Sequence, residues 1–257
     1  MSDGLLNTLD NGVLTLTFNR PAKKNAIDTG MWLSLARSID EADSNPEVAV
    51  ILINGAGGNF TAGADIAEFA STSDDVDTTA FETTTRSLFA LTKPLICAID
   101  GVAVGGGATL ALHADIVLVG ENLRMTFPFT RLGLCPELGS SFLLPHIIGA
   151  RKAADVLMTG DWLGGERCVE LGLASHCVAS DALQPLAESK AQQLAQLPVS
   201  SLVATKALLK EPIKEAFLKH FDHECRQFHS MTGSPENTEA LMAMFERRQP
   251  NFVQFRK

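Results

Sequence analysis

Residues 48–53 read VAVILI, six apolar side chains in succession. The run is too short for a free-standing helix and lacks the alternation of a strand with one wet face, so it predicts a strand buried on both sides. A chain with such a strand must place a layer above it and another below. The runs 95–99 (LICAI) and 116–119 (IVLV) predict two more strands, and 12–18 (GVLTLTF) alternates with the β-branched residues that strands favour. Helical patterns fall between them. Asp28 is placed to cap a helix with an apolar face of Met31, Trp32, Leu35, Ile39 and Ala42, and 108–113 suits a second helix after a glycine turn. Strands alternating with helices imply parallel crossover units. Asp65 is expected to cap another short helix, and 71–79, polar and acidic, to form a surface loop. Asp115 is expected to tie a helix–strand junction. Past about Pro185 the pattern becomes helical, with stops expected at Pro198, Pro212 and 233–235. The expected architecture is an α/β core over 1–195 and a helical subdomain over 196–257, with no tandem repeat.

The 257 residues are 46% hydrophobic and 20% charged, enough for a core without covalent staples. A net charge of −9 argues against nucleic acid as the main partner. Arg20, Lys23 and Lys24, and at the other end Arg247, Arg248, Arg256 and Lys257, could still hold an anionic group locally. The five cysteines (97, 135, 168, 177 and 225) are scattered, with no CxxC and no Cys/His cluster, so neither a disulfide framework nor a metal site is expected. No charged leader precedes an apolar run, no stretch is long enough to span a bilayer, and the last residues are Phe-Arg-Lys. The expected location is the cytoplasm, with no membrane partner.

Two glycine-marked turns carry the chemistry. Residues 55–60 (GAGGNF) imitate a dinucleotide fingerprint but place Phe60 where a third glycine is needed, and 101–107 lacks the Lys-Ser/Thr of a phosphate loop. Glycine can instead let backbone N–H groups face a ligand closely. In 60–65 (FTAGAD) and in Gly105-Gly106-Gly107, at an expected helix start, such donors would suit an oxyanion. Taken alone, either is equally a tight strand-to-helix turn. Residues 127–145 (FPFTRLGLCPELGSSFLLP) add a carboxylate, Glu137, which by itself also reads as a first-turn acid at a helix start. The six histidines have no spaced acidic or cysteine partner and read as surface or satisfied core residues. Ser140 and Ser141 lack a nucleophile elbow and are expected to hydrogen-bond near Glu137.

Taken together, FTAGADI at 60–66, KPLICAIDGVAVGGGATLALHAD at 93–115, LGL at 132–134 and TGDWLGGERCVELGL at 159–173 resemble the crotonase, or enoyl-CoA hydratase/isomerase, family. The matches run in order from Asn19-Arg20-Pro21 to Asn251-Phe252. The resemblance implies a spiral of ββα units with C-terminal helices, assembly as a homotrimer or dimer of trimers, and an acyl-CoA substrate. Coenzyme A would arrive as part of that thioester, with no separate cofactor. It places the oxyanion donors on the amides of Ala64 and Gly106. It places the coenzyme A portion along Ala22, Lys24, Ala26, Ala62, Ala64, Asp65, Ile66 and Gly106.

Hydratases of this family use two glutamates, and those positions hold Thr109 and Phe129 here. Glu137, within Pro128-Phe129, Leu132-Gly133, Glu137, Ser140-Ser141 and Leu144-Pro145, matches the base of an isomerase branch. The resemblance therefore implies isomerisation of a 3-enoyl thioester with Glu137, Ala64 and Gly106 as catalytic groups. Hydration or another crotonase reaction is the alternative, and a non-catalytic crotonase-like binding protein is the third reading. The segment 71–89 is expected to border the acyl chain.

Overall fold

The computed structural model describes residues 4–65 and 79–256. The expected doubly buried strand is β3 (Val50–Gly55), and its side chains divide as a pleat requires. Ile51 and Ile53 enter the larger hydrophobic core, whereas Val50 and Leu52 enter a smaller one on the opposite face. β4 (Leu95–Ile99) divides in the same way: Leu95, Cys97 and Ile99 point to the larger core, Ile96 and Ala98 to the smaller.

Both strands belong to a six-stranded sheet of order β1-β2-β3-β4-β6-β8. Its other members are β1 (Leu5–Asp10), β2 (Val13–Phe18), β6 (Ile116–Gly120) and β8 (His176–Val178). β1 and β2 pair antiparallel, and every later pairing is parallel. A second layer consists of β5 (Val102–Val104) beside β7 (Arg124–Thr126), extended by single bridges from Thr61 to Ala103 and from Met125 to Leu163. The chain twice passes from the large sheet to the small layer and on into a helix, through β4 and β5 and again through β6 and β7, which is the repeated ββα unit of the spiral. These three-residue strands are too short to show a period, so the sequence reading merges them with the neighbouring turns.

The helices α1 (Thr29–Ser44) and α2 (Thr79–Ala90) pack together over the larger core. The Asp28 side chain caps α1 by accepting from the Met31 N–H at 2.8 Å, and Met31, Trp32, Leu35, Ile39 and Ala42 are buried as the pattern requires. α3 (Gly106–Ala111) follows β5. The helices α4 (Ser140–Ile148), α5 (Ala150–Thr159) and α6 (Gly165–Leu171) lie before β8, so helical territory opens well before Pro185. The smaller core is closed by α7 (Ser180–Ala195), through Leu183, Ala187 and Ala191.

α8 (Val199–Met231) and α9 (Pro235–Phe245) complete the chain with a short turn at Phe252–Phe255. Pro198 and Gly233 do bound α8, but Pro212 does not stop it. Burial of Phe217 and Phe221 beyond that proline outweighs the one lost backbone bond, as tertiary packing commonly outweighs local preference.

Asp115 ties its junction as expected. It accepts from the Leu95 N–H at 2.8 Å and from Lys206 of α8 at 2.6 Å. The Lys206 ammonium also reaches the Lys93 carbonyl at 2.8 Å, anchoring α8 to the sheet. The five cysteines are free, with Cys97 and Cys168 buried. Among the described residues no helix is long and apolar enough to cross a membrane.

Candidate active site

The turn 61–65 is assembled around a buried asparagine. Asn25 donates to the carbonyls of Ala56 at 2.8 Å and Asn59 at 2.7 Å, while its own carbonyl accepts from the Thr61 hydroxyl at 2.7 Å. Residues 24–27 then run beside 62–65. The Ala62 amide donates to the Lys24 carbonyl, Ile27 to Gly63, and Asp65 to Ile27, all at 2.8–2.9 Å. Lys24, Ala26, Ala62, Ala64 and Asp65 therefore lie along one edge, with Ala22 in the short turn that precedes it. Ile66 lies outside the described residues, as do most of the loop expected at 71–79 and the helix expected after Asp65.

Val104 donates to the Thr61 carbonyl at 3.1 Å, which draws the second glycine turn against the first. The approach leaves no room for a side chain at Gly63: a Cβ there would sit 2.4 Å from the Val104 oxygen, and φ is +83°. Gly105, at φ +51°, swings the chain into α3 so that Gly106 is its first residue. Its N–H is one of the donors that a helix start leaves without an internal partner. Neither Ala64 nor Gly106 donates its amide to an acceptor among the described residues, and both line one cleft of about 110 Å³.

Glu137 lines the same cleft. Its carboxyl lies beside Gly106, with Oε1 3.3 Å from where a Cβ on that glycine would be. Its side chain makes no hydrogen bond or ion pair among the described residues. The surface it retains belongs to the cleft and to a second, smaller cavity behind it, between α2 and α8. Burial, and then the Glu224 carboxylate, push its pKa up to about 8. Trp32 packs under Gly106 with its indole N–H buried and without a partner among the described residues. Phe129, Leu132, Leu134, Phe228 and Leu241 supply apolar wall.

The residue after Glu137 shows how this loop is held. Leu138 has φ +53°, a left-handed conformation unusual for a branched side chain. Its carbonyl accepts from His113 Nε2 at 2.8 Å. Burial lowers the His113 pKa to about 4, so the ring is neutral and its Nε2 carries the donated proton. His113 is a satisfied core residue, as expected, and it also joins the end of α3 to the turn that bears Glu137. The Ser140 hydroxyl donates to the Glu137 carbonyl at 2.6 Å. Ser141 instead turns to Glu224 and His220 of α8. Glu224 was not among the residues singled out by the sequence, where it reads as one more acid on a mixed-charge helix.

Two expected positive groups are otherwise engaged. Arg20 bonds the Ala26 carbonyl at 2.8 Å and pairs with Asp28 at 3.0 Å and Asp65 at 2.9 Å. Lys23 also pairs with Asp65 at 2.9 Å, so the Asp65 carboxylate ties the two strands of this edge together. Arg248 grips Glu239 with both terminal nitrogens and reaches Glu246 as well, which fastens the tail to α9. Lys24 is exposed. Thr109 is buried and directs its hydroxyl to the carbonyls of Gly105 and Gly106, each at 3.2 Å. Among the described residues no group of three His, Cys, Asp or Glu side chains is placed to hold a metal ion.

A parallel-stranded ββα spiral with a cleft at its glycine turns defines a class of acyl-thioester enzymes, and comparison with known proteins agrees. The family described as enoyl-CoA hydratase/isomerase matches residues 8–255, and the chain belongs to that family. It is 31% identical to a 1,2-epoxyphenylacetyl-CoA isomerase of Escherichia coli K12, over 98% of this chain and 99% of that one. It is 33% identical to a probable enoyl-CoA hydratase of Mycobacterium leprae, over 94% of each. A crystal structure of an enoyl-CoA hydratase/isomerase from Pseudoalteromonas atlantica superposes with a TM-score of 0.93 at 31% identity, covering 97% of this chain and all of that one.

Proposed function

We propose that this enzyme moves the double bond of a 3-enoyl-CoA into conjugation, giving the 2-enoyl-CoA. The observation that carries the reading is Glu137, a carboxyl with no hydrogen bond or ion pair among the described residues, beside an amide with no acceptor among them, in a cleft whose described lining holds no second acid–base carboxylate. The thioester oxygen accepts from the Ala64 and Gly106 N–H groups. Glu137 takes a proton from the alpha carbon, the charge spreads over a dienolate, and the same carboxyl returns the proton to the gamma carbon. Donors fixed by backbone need no reorganisation as that charge appears. A base with a pKa near 8 suits both the taking and the giving of a proton near neutral pH.

Hydration would need a second group to orient water. Thr109 is committed to its own helix and Phe129 has no proton to move. The coenzyme A portion would lie along the edge formed by residues 22–26 and 62–65. The assembly proposed is a homotrimer or dimer of trimers; Leu208 and Leu209, 70% and 73% exposed on α8, are apolar surface that association would cover. The test is direct. Purified protein is given 3-enoyl-CoA and 2-enoyl-CoA esters of several lengths, and products are resolved by chromatography and mass. Conversion of the first should greatly outpace hydration of the second. Faster hydration would overturn the reading in favour of a hydratase, and inertness toward both would favour a binding protein.

A further inference from the structure

Glu137 and Glu224 share the small cavity behind the cleft, but their carboxylates are placed for different work. Glu137 accepts nothing among the described residues. Glu224 is 5% exposed and saturated: it accepts from the Gly139 N–H at 2.6 Å, the Ser141 N–H at 2.9 Å, and the Ser141 hydroxyl. Those donors lie within and just after the tight turn of Leu138 and Gly139, both at positive φ, that immediately follows the base.

We propose that Glu224 is the positioning residue of Glu137: from α8 it clamps the turn that carries the base, and its carboxyl stands as a second acid behind that base. The inference rests on Glu137 being the proton acceptor. His113 grips the same turn from the α3 side through the Leu138 carbonyl, so the turn is held between two side chains that are distant in sequence. Burial raises the Glu224 pKa, its three donors from Ser141 and Gly139 pull the other way, and the charge Glu224 carries when ionised favours the protonated form of Glu137.

Other ionisable groups around the pair do not cancel this charge. On α8, His220 reaches Ser141 at 2.8 Å, Cys225 lines the cavity, and His229 pairs with Glu82 of α2 at 3.5 Å. Arg86 of α2 is engaged with Asp222 at 2.7 Å. Cys135, in the base's own loop, is a half-buried thiol whose pKa is pushed up to about 11, and His113 is neutral. Among the described residues no lysine or arginine pairs with either glutamate.

The test compares the full-length protein with Glu224→Gln, Glu224→Ala and Glu137→Gln. Two readouts are taken: kcat and KM for 3-enoyl-CoA against pH, and the infrared C=O band of the protonated Glu137 carboxyl, identified by its loss in Glu137→Gln. Glu224→Gln keeps the volume and an acceptor oxygen but removes the charge. It should move the Glu137 midpoint down by about one pH unit and lower the plateau kcat about tenfold, with KM within about threefold. Glu224→Ala should lose more kcat; if it does not fold, the glutamine variant carries the test. A midpoint and plateau kcat unchanged in Glu224→Gln, with wild type active and Glu137→Gln inactive, overturns the inference alone. A wild type inert toward 3-enoyl-CoA whose Glu137 band still shifts in Glu224→Gln overturns the proposed reaction and leaves the role of Glu224 standing.

Discussion

Around Ala64 and Gly106 the chain is held largely by backbone pairing, with the buried Asn25 side chain beneath it and Asp65 tied to Arg20 and Lys23 beside it. Residues 24–27 pair with 62–65, Thr61 pairs with β5, and glycines allow the approach. Around Glu137 the chain is held by side chains from elsewhere, His113 after α3 and Glu224 on α8. The proposed donors are thus part of the spiral itself, whereas the proposed base depends on tertiary packing of the C-terminal helix. A family can keep the first region and vary its chemistry by changing the second, which is why one fold hosts several reactions.

The largest effect should come from the base. Glu137→Gln keeps shape and removes the proton acceptor, so isomerisation should fall by about a hundredfold to ten-thousandfold with acyl-CoA affinity nearly unchanged. Rates within about threefold of wild type would show that the second region holds no base.

Next comes a donor. Proline is tolerated at the first position of a helix, where Gly106 stands, and it deletes the amide N–H. Gly106→Pro should cost about a hundredfold to a thousandfold in kcat. Its ring must also find room near Trp32, since a Cβ at this position would lie 2.9 Å from the indole. Circular dichroism therefore accompanies the assay, and a folded, fully active variant would mean that the thioester oxygen is held elsewhere.

The same contrast explains what was legible in the sequence. The strands at 50–55, 95–99 and 116–120 were readable because buried parallel strands announce themselves as short apolar runs. The tight turns were readable because only glycine fits where Gly63 meets Val104. Glu137 became meaningful through its surrounding pattern, since a glutamate after a proline carries little information alone. Asn25, His113 and Glu224 carry almost no local signal. Their roles appear only when residues far apart in the chain are brought together. Pro212 shows the opposite error, a strong local signal that burial of Phe217 and Phe221 overrides.

A smaller effect is expected from pH. Glu137 must be ionised to act, so kcat/KM should rise about tenfold per unit below about pH 8 and level off above it. The sign for stability is opposite. The folded-state pKa lies above the unfolded value, so the fold prefers the protonated acid. That contribution is full below the unfolded pKa and is lost as pH rises through about 8. Urea titrations should show wild type losing stability over this window relative to Glu137→Gln, which has nothing to ionise. Parallel curves for the two proteins would show that Glu137 titrates in its ordinary range.

The smallest effect tests whether the first region needs charge at all. Lys23 pairs with Asp65 through a side chain that is 53% exposed, while Arg20 reaches the same carboxylate and also binds Asp28 and the Ala26 carbonyl. An exposed pair is screened and loses side-chain entropy, and is worth about 0–1 kcal/mol. With Arg20 still in place and the backbone bonds between 24–27 and 62–65 untouched, Lys23→Ala should lower stability by less than about 1 kcal/mol. Acyl-CoA affinity should stay within about threefold, less than 0.7 kcal/mol. Calorimetry of coenzyme A ester binding and a thermal melt check both. A tenfold loss of affinity with an unchanged melt would make Lys23 a ligand for the anionic end of the substrate, and the donor edge would then be an electrostatic site as well as a backbone one.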